Sequence, residues 1–331
     1  MTGAQRWLYS VWYEGGTGGW ALRPLEWLFR CIVAVRRFLY RNGVFKSLSI
    51  DAPVVVVGNI AVGGGGKTPL VGWLARQLSE RNLRIAIISR GYGGDEPTMP
   101  LRVDETTPAA VAGDEAKMLA ALTGVPVYVC RDRVSAANVA HKDGANLILA
   151  DDGLQHYRLG RAMEIAVVDA VRQHGNRRCL PAGPLREPVS RLSSVDVIVA
   201  SGGKIEGVSD MFYTLDIQTA INGASGVERP LAAFYGQSVY ALAGIAHPQR
   251  FVDMLSSFGL RVLQIPAADH QTLDAASIDP DDALAVLMTE KDAVKYDSLS
   301  ERHWIVPAQV EMEPADAQRL LDQIQSLRSG P

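Results

Sequence analysis

One stretch, PVVVVGNIAVGGGGKTP at residues 53–69, narrows the possible folds more than any other part of the chain. Pro53 to Val57 is an uninterrupted β-branched run, which suits a strand covered on both faces inside a parallel sheet. Ala61-Val62-Gly63-Gly64-Gly65-Gly66-Lys67-Thr68 then matches the phosphate-loop pattern A/G-x-x-x-x-G-K-S/T, with Ala61 in place of the first glycine of the stricter form. The glycines let backbone N–H groups close around phosphate oxygens, Lys67 can bridge the β and γ phosphates, and the Thr68 hydroxyl can ligate Mg²⁺. Pro69 fits the first turn of a helix, where its missing N–H costs little. A glycine-rich turn alone can be structural. Strand, turn and helix in this order point to a nucleotide.

Strand-like and helical patterns alternate downstream. RIAIIS (84–89), VPVYVC (125–130), NLILA (146–150), EIAVVD (164–169) and VDVIVA (195–200) read as strands, and residues 68–80, 113–122 and 132–140 as helices. Repeated βα units imply a P-loop NTPase-like α/β fold. Its sheet is doubly wound and mostly parallel, with the ligand site at the carboxyl ends of the strands. The turn-rich stretch 222–230 reads as the edge of this domain. Beyond it SVYALAGIA, PQRFVDMLSSFGL, RVLQIP, ALAVLMTEKDAVK, HWIVP and PADAQRLLDQIQSL suggest a second, smaller α/β domain. The expected division is an N-terminal segment over 1–48, a P-loop core over 49–225 and a C-terminal α/β domain over 226–331, which 331 residues can supply with full-sized cores.

A nucleotide site also needs a carboxylate for its metal, and LILADDG at 147–153 offers one. Apolar residues ending in Asp would place Asp151 and Asp152 at the carboxyl end of a strand, where Mg²⁺ sits in such folds. Asp-Gly also favours turns, so a cap or turn is the competing reading. Guanine specificity normally shows as NKxD after a late strand. Thr289-Glu290-Lys291-Asp292 does not match it, which favours ATP. A net charge of −3 argues against binding nucleic acid by bulk electrostatics. Cys31, Cys130 and Cys179 stand too far apart for a zinc cluster or disulfide framework, and a reducing cytosol fits them. No apolar run reaches the roughly 18 residues that a membrane span needs, and MTGAQRWLYS lacks the parts of a signal peptide.

Residues 1–48 differ in composition from the rest. They hold seven basic side chains (Arg6, Arg23, Arg30, Arg36, Arg37, Arg41, Lys46) against Glu14 and Glu26, and four of the six tryptophans. LEWLFRCIVAVRRFLYR (25–41) suits a helix in which Arg30, Arg37 and Arg41 project within roughly 20° of one direction. Leu25, Leu28, Phe29, Ile32 and Leu39 fill much of the other side. Such an amphipathic helix can lie in a membrane interface with its arginines on anionic headgroups, and clustered Trp favours that over packing on its own domain.

Taken together, VGNIAVGGGGKTP (57–69), SRGYGG (89–94), GDEAKMLA (113–120), LADDGLQHYRL (149–159), EIAVVDA (164–170), LPAGPLREP (180–188), ALAGIAHPQRF (241–251), ADH (268–270) and MTEKDAVK (288–295) resemble the tetraacyldisaccharide 4'-kinase family, the lipid A 4'-kinases of Gram-negative envelope synthesis. PLEWLFRCIVAVRRFLYR resembles the family's N-terminal segment. The resemblance implies transfer of the ATP γ-phosphate to the 4'-hydroxyl of a tetraacylated glucosamine disaccharide 1-phosphate, at the cytoplasmic face of the inner membrane. The chain would sit there as a peripheral protein through its N-terminal helix, with a lipid-linked substrate and no obligate protein partner.

The resemblance also implies residue roles. Asp114 in GDEAK looks like the family's catalytic carboxylate, able to accept the acceptor's proton or hold its hydroxyl; the competing reading is an acidic helix N-terminus. Glu115 is a further candidate for the metal shell. His270 matches a family histidine that approaches Asp114 from the second domain. The family tends to show DHH and then an aromatic, whereas this chain has Asp269-His270-Gln271-Thr272, which leaves open the residue that pairs with Asp114. Gln155 and His156 could contact nucleotide or metal-bound water, or simply pack on the next turn. Arg186 and Arg133 are candidates for holding phosphate charge, and Tyr92 for lining the site. An ATPase switch that phosphorylates nothing is the alternative from a different class.

Overall fold

Consecutive β-branched residues with no polar interruption are stable only where both faces of a strand are covered. In the computed structural model, which describes residues 3–104, 106–245, 247–267, 271–278 and 284–328, the chain puts them there. Helices α1 (Gly3–Tyr13) and α2 (Arg23–Arg41) are followed by β1 (Val54–Gly58), α3 (Lys67–Glu80), β2 (Ile85–Ser89), β3 (Leu101–Val103), α4 (Ala109–Ala112), α5 (Asp114–Thr123) and β4 (Val127–Val129). Next come α6 (Arg133–Lys142), β5 (Leu147–Asp151), β6 (Met163–Asp169), β7 (Val197–Ser201), β8 (Met211–Asp216), β9 (Thr219–Asn222), β10 (Glu228–Pro230) and β11 (Ser238–Leu242). The remainder is α7 (Pro248–Ser257), β12 (Arg261–Ile265), α8 (Ala275–Ile278), β13 (Ala285–Thr289), α9 (Glu290–Ala293), β14 (His303–Val306), β15 (Gln309–Met312) and α10 (Pro314–Ser326).

Nine strands form one sheet in the order β15-β8-β7-β6-β1-β5-β2-β4-β3, parallel except for the outermost strand on each side. β1 lies at its centre, fully buried along its length. Val55 and Val57 pack with Leu70, Leu74 and Leu78 on one face, and Val54 and Val56 with Ile60 and Ala137 on the other. Crossovers leave β1 and its neighbours in both directions, so the crevice at their carboxyl ends is the topological switch point where ligands bind in such sheets. Six strands in the order β10-β9-β14-β13-β11-β12 form the second sheet, whose own core includes Phe234, Leu255 and Trp304.

The strands and helices expected between residues 53 and 201 are present with ends shifted by at most two residues. The division into units differs in two places. Residues 222–230 do not close the first domain; β9 and β10 already belong to the second sheet, and the turn joins them antiparallel. Nor does the second unit run to the end of the chain. β15 pairs antiparallel with β8 at the edge of the first sheet, and α10 buries Leu320, Leu321 and Ile324 in the first core beside α3. Arg81 Nη1, just past α3, lies 2.6 Å from Asp322. Periodicity identified α10 but carries no information about which sheet it covers.

Helix α2 differs from the expectation in what two of its arginines meet. Glu26 is buried and lies within 3.5–3.9 Å of Arg23, Arg30 and Arg178, and accepts a hydrogen bond from Cys179 N. Arg37 points to Glu187 at 3.9 Å. Leu25, Trp27, Leu28, Ile32, Val35 and Phe38 are instead exposed, each by more than half. Arg30 and Arg37 thus reach protein carboxylates, while Arg30, Arg36 and Arg41 are exposed alongside the apolar side chains.

Candidate active site

The turn after β1 is bent by two left-handed glycines, Gly63 (φ +94°) and Gly66 (φ +82°). Gly66 caps α3, whose first residues Lys67 and Thr68 are buried. The turn is braced from three sides. Asn59 Nδ2 donates to the Gly63 carbonyl at 3.4 Å, the Tyr213 hydroxyl donates to the Gly66 carbonyl, and Arg172 donates to the Gly64 carbonyl. Arg172 in turn stacks on Tyr13 at the end of α1. The loop 180–188 runs alongside: Val62 N donates to the Pro184 carbonyl at 2.8 Å and Arg186 N to that of Ile60 at 2.6 Å.

This side-by-side run brings Arg186 to the end of β5. The structure separates the two aspartates there. Arg186 Nη1 lies 2.8 and 3.0 Å from the two oxygens of Asp152, Lys67 Nζ lies 3.7 Å from the same carboxylate, and Arg133 Nη2 donates to the Asp152 carbonyl at 3.0 Å. Burial would raise the Asp152 pKa, but Lys67 and Arg186 outweigh it and hold the group at about 2. Both its oxygens are engaged with cations, which is not the environment expected of a metal ligand. Asp151 is the opposite case. It is buried, its Oδ1 has no hydrogen-bond partner, and burial followed by the charge of Glu115 pushes it up to about 7.

Asp114 and Glu115 begin α5, entered through Gly113 (φ +83°), whose neighbours are the carbonyls of Gly91 and Tyr92 in the turn after β2. Asp114 is buried. The Tyr92 ring is exposed. His156 is pushed down to about 4 by burial and then by Arg133, so its ring is neutral at pH 7. Gln155 is committed to the protein, donating to the Asn59 carbonyl and to Glu187 at 3.0 and 2.9 Å, so it packs the loops together. His270 lies outside the described residues.

Several site residues escaped the sequence reading. Glu187 takes Gln155, Tyr157 and Arg191; Arg172 and Tyr213 brace the glycine turn. From the second domain, Lys291 lies 3.7 Å from Glu115 and Lys295 3.8 Å from Asp114. Both lysines fall in the block MTEKDAVK (288–295), which carried the family resemblance but gave neither of them a role.

A parallel sheet with a phosphate loop at its switch point, an unpartnered buried carboxylate on the next strand and a cluster of cations between them define the class of P-loop nucleotide-dependent enzymes. A family profile narrows this: "LpxK: Tetraacyldisaccharide-1-P 4'-kinase" matches residues 19–326. The chain is 45% identical to the tetraacyldisaccharide 4'-kinase of Stenotrophomonas maltophilia (strain R551-3), with 96% of each protein covered. It is 43% identical to that of Pasteurella multocida (strain Pm70), over 96% of this chain and 99% of the other. The crystal structure of the "apo" form of LpxK from Aquifex aeolicus in complex with ATP is similar at a TM-score of 0.77 and 27% identity, over 92% of this chain and 99% of that one. The chain belongs to the tetraacyldisaccharide-1-P 4'-kinase family.

Proposed function

We propose that this chain moves the γ-phosphoryl group of ATP onto the 4'-hydroxyl of a tetraacylated glucosamine disaccharide 1-phosphate, by direct in-line attack at the cytoplasmic face of the inner membrane. Family membership carries the reaction, and the observation that carries the site is the meeting of Lys67, Arg133 and Arg186 at the mouth of the glycine turn, with α5 opening onto the same crevice. The backbone of Gly63 to Gly66 would take the triphosphate. Lys67 and Arg186 would exchange the Asp152 carboxylate for phosphate oxygens, and so be positioned before the phosphoryl group moves.

The donor set fits Mg²⁺. Asp151 keeps a buried oxygen without a partner and sits near a second carboxylate, Glu115, two conditions that a divalent cation relieves. Asp151 and the Thr68 hydroxyl would hold the ion, with Glu115 beside them; among the described residues no group of three or more His, Cys, Asp or Glu forms a cage. When bound, it would neutralise charge on the β and γ phosphates. Asp114 would accept or orient the acceptor's hydroxyl proton, with His270 as its partner on the resemblance alone.

A greasy acceptor is reached at a membrane surface. The exposed apolar side of α2 continues into Val44 and Phe45, and such a face suits burial at the acyl boundary. No helix among the described residues is long and apolar enough to cross a bilayer. Incubating the protein with γ-labelled ATP, Mg²⁺ and the lipid disaccharide tests the proposal. Label in the lipid is expected; label released only as free phosphate would indicate an ATPase and overturn it.

A further inference from the structure

We propose that Lys295 is a positioning residue that reaches across from the second domain to fix the carboxylate of Asp114. This rests on reading Asp114 as the group that faces the acceptor hydroxyl.

Lys295 Nζ lies 3.8 Å from Asp114 Oδ2 and 2.8 Å from Asp292 Oδ1, and donates to the Gln271 carbonyl at 3.1 Å. The side chains of Lys295, Asp292 and Asp114 are only 1%, 2% and 9% exposed. The ammonium thus donates to Asp292 and Gln271 and stands in ion-pair range of Asp114, with the three charged side chains nearly fully buried. Its root is fixed as well. Asp292 accepts from the Thr289 hydroxyl at 2.6 Å and from Gly244 N at 2.8 Å, which ties it to the carboxyl ends of β13 and β11. A charge held this firmly by one sheet and aimed at a carboxylate of the other is well placed to set that carboxylate's orientation. Lys291, one helical turn earlier, meets Glu115 at 3.7 Å, so the short segment 291–295 presents two cations to two adjacent acids at the start of α5. Surface ion pairs of this length contribute little, but a desolvated one orients its partner strongly.

The test is a double-mutant cycle on the full chain with γ-labelled ATP, Mg²⁺ and the tetraacyldisaccharide 1-phosphate. Lys295→Met and Lys295→Arg are each made in the wild type and in Asp114→Asn. Met is expected to lower kcat about 10-fold or more while the KM for ATP stays within about twofold, because the phosphate loop is untouched. Arg keeps the buried charge opposite Asp292, protects the fold, and is expected to recover most of the loss. In the Asp114→Asn background neither substitution should change kcat by more than about twofold. The proposal is overturned if Lys295→Met leaves kcat unchanged, or if either variant lowers kcat by the same factor with and without Asp114. Full activity in Asp114→Asn alone would instead overturn the role given to Asp114, a separate outcome.

Discussion

Gly66 shows how little room the phosphate loop leaves. Its φ of +82° is one that side chains rarely adopt, and a methyl group there would collide with the Ser201 and Tyr213 hydroxyls. Gly66→Ala is expected to abolish ATP binding measured by calorimetry while the second sheet stays folded; wild-type affinity would show that the turn is not the nucleotide site. Glu290 makes a prediction about pH. Burial pushes its carboxyl from the ordinary 4.5 up to about 7, against the opposing pull of Ala308 N and Arg76. The folded value exceeds the unfolded one, so this contribution to stability is complete below 4.5 and is lost as pH rises through 7. Asp151 titrates in the same window and in the same direction. The melting temperature of the metal-free protein should therefore fall between about pH 4.5 and 7, and fall less in Glu290→Gln; an identical decline in both would show that Glu290 makes no such contribution. At this scale the sequence was legible where chemistry is local. Lys67 and Thr68 open the helix after a glycine turn, and Asp151 ends a strand, each within a pattern that announces it. The link from Arg186 to Asp152 and the one from Lys295 to Asp114 join distant segments, and only the packing of loop 180–188 and of the second sheet creates them.

Among the elements, α2 carries the account's most exposed claim. Its helix was legible from its period, but which side faced water was not, because Glu26 and Arg37 find partners in Cys179 N and Glu187, far along the chain. The apolar side is left outward, where insertion of several large side chains into an interface is worth about 1.5–3 kcal/mol each. Leu28→Glu with Ile32→Glu should abolish flotation with vesicles of phosphatidylethanolamine and phosphatidylglycerol while ATP binding and melting temperature are unchanged. Retained flotation would move the membrane contact elsewhere. The short edge strand β3 was not legible for a different reason: three residues, one of them exposed, leave no periodicity to read.

For the whole molecule, the return of the C terminus to the first sheet is the feature that no local pattern could disclose, since it depends on which sheet edge is free to accept β15. Removing residues 309–331 would strip β15 from β8 and expose the surface covered by Leu320, Leu321 and Ile324, a loss on the order of 5 kcal/mol. The truncated protein is expected to aggregate or to lose cooperative unfolding; a soluble product with an unchanged melting temperature would contradict the assignment of that segment to the first core. The central claim concerns the same molecule at work: ATP held by the glycine turn hands its terminal phosphoryl directly to a lipid-borne alcohol. Isotope trapping measures this most directly. Protein loaded with γ-labelled ATP and Mg²⁺ is mixed with the tetraacyldisaccharide 1-phosphate and a large excess of unlabelled ATP. The bound label is expected to appear in the lipid in the first turnover, and label recovered only as free phosphate would contradict direct transfer.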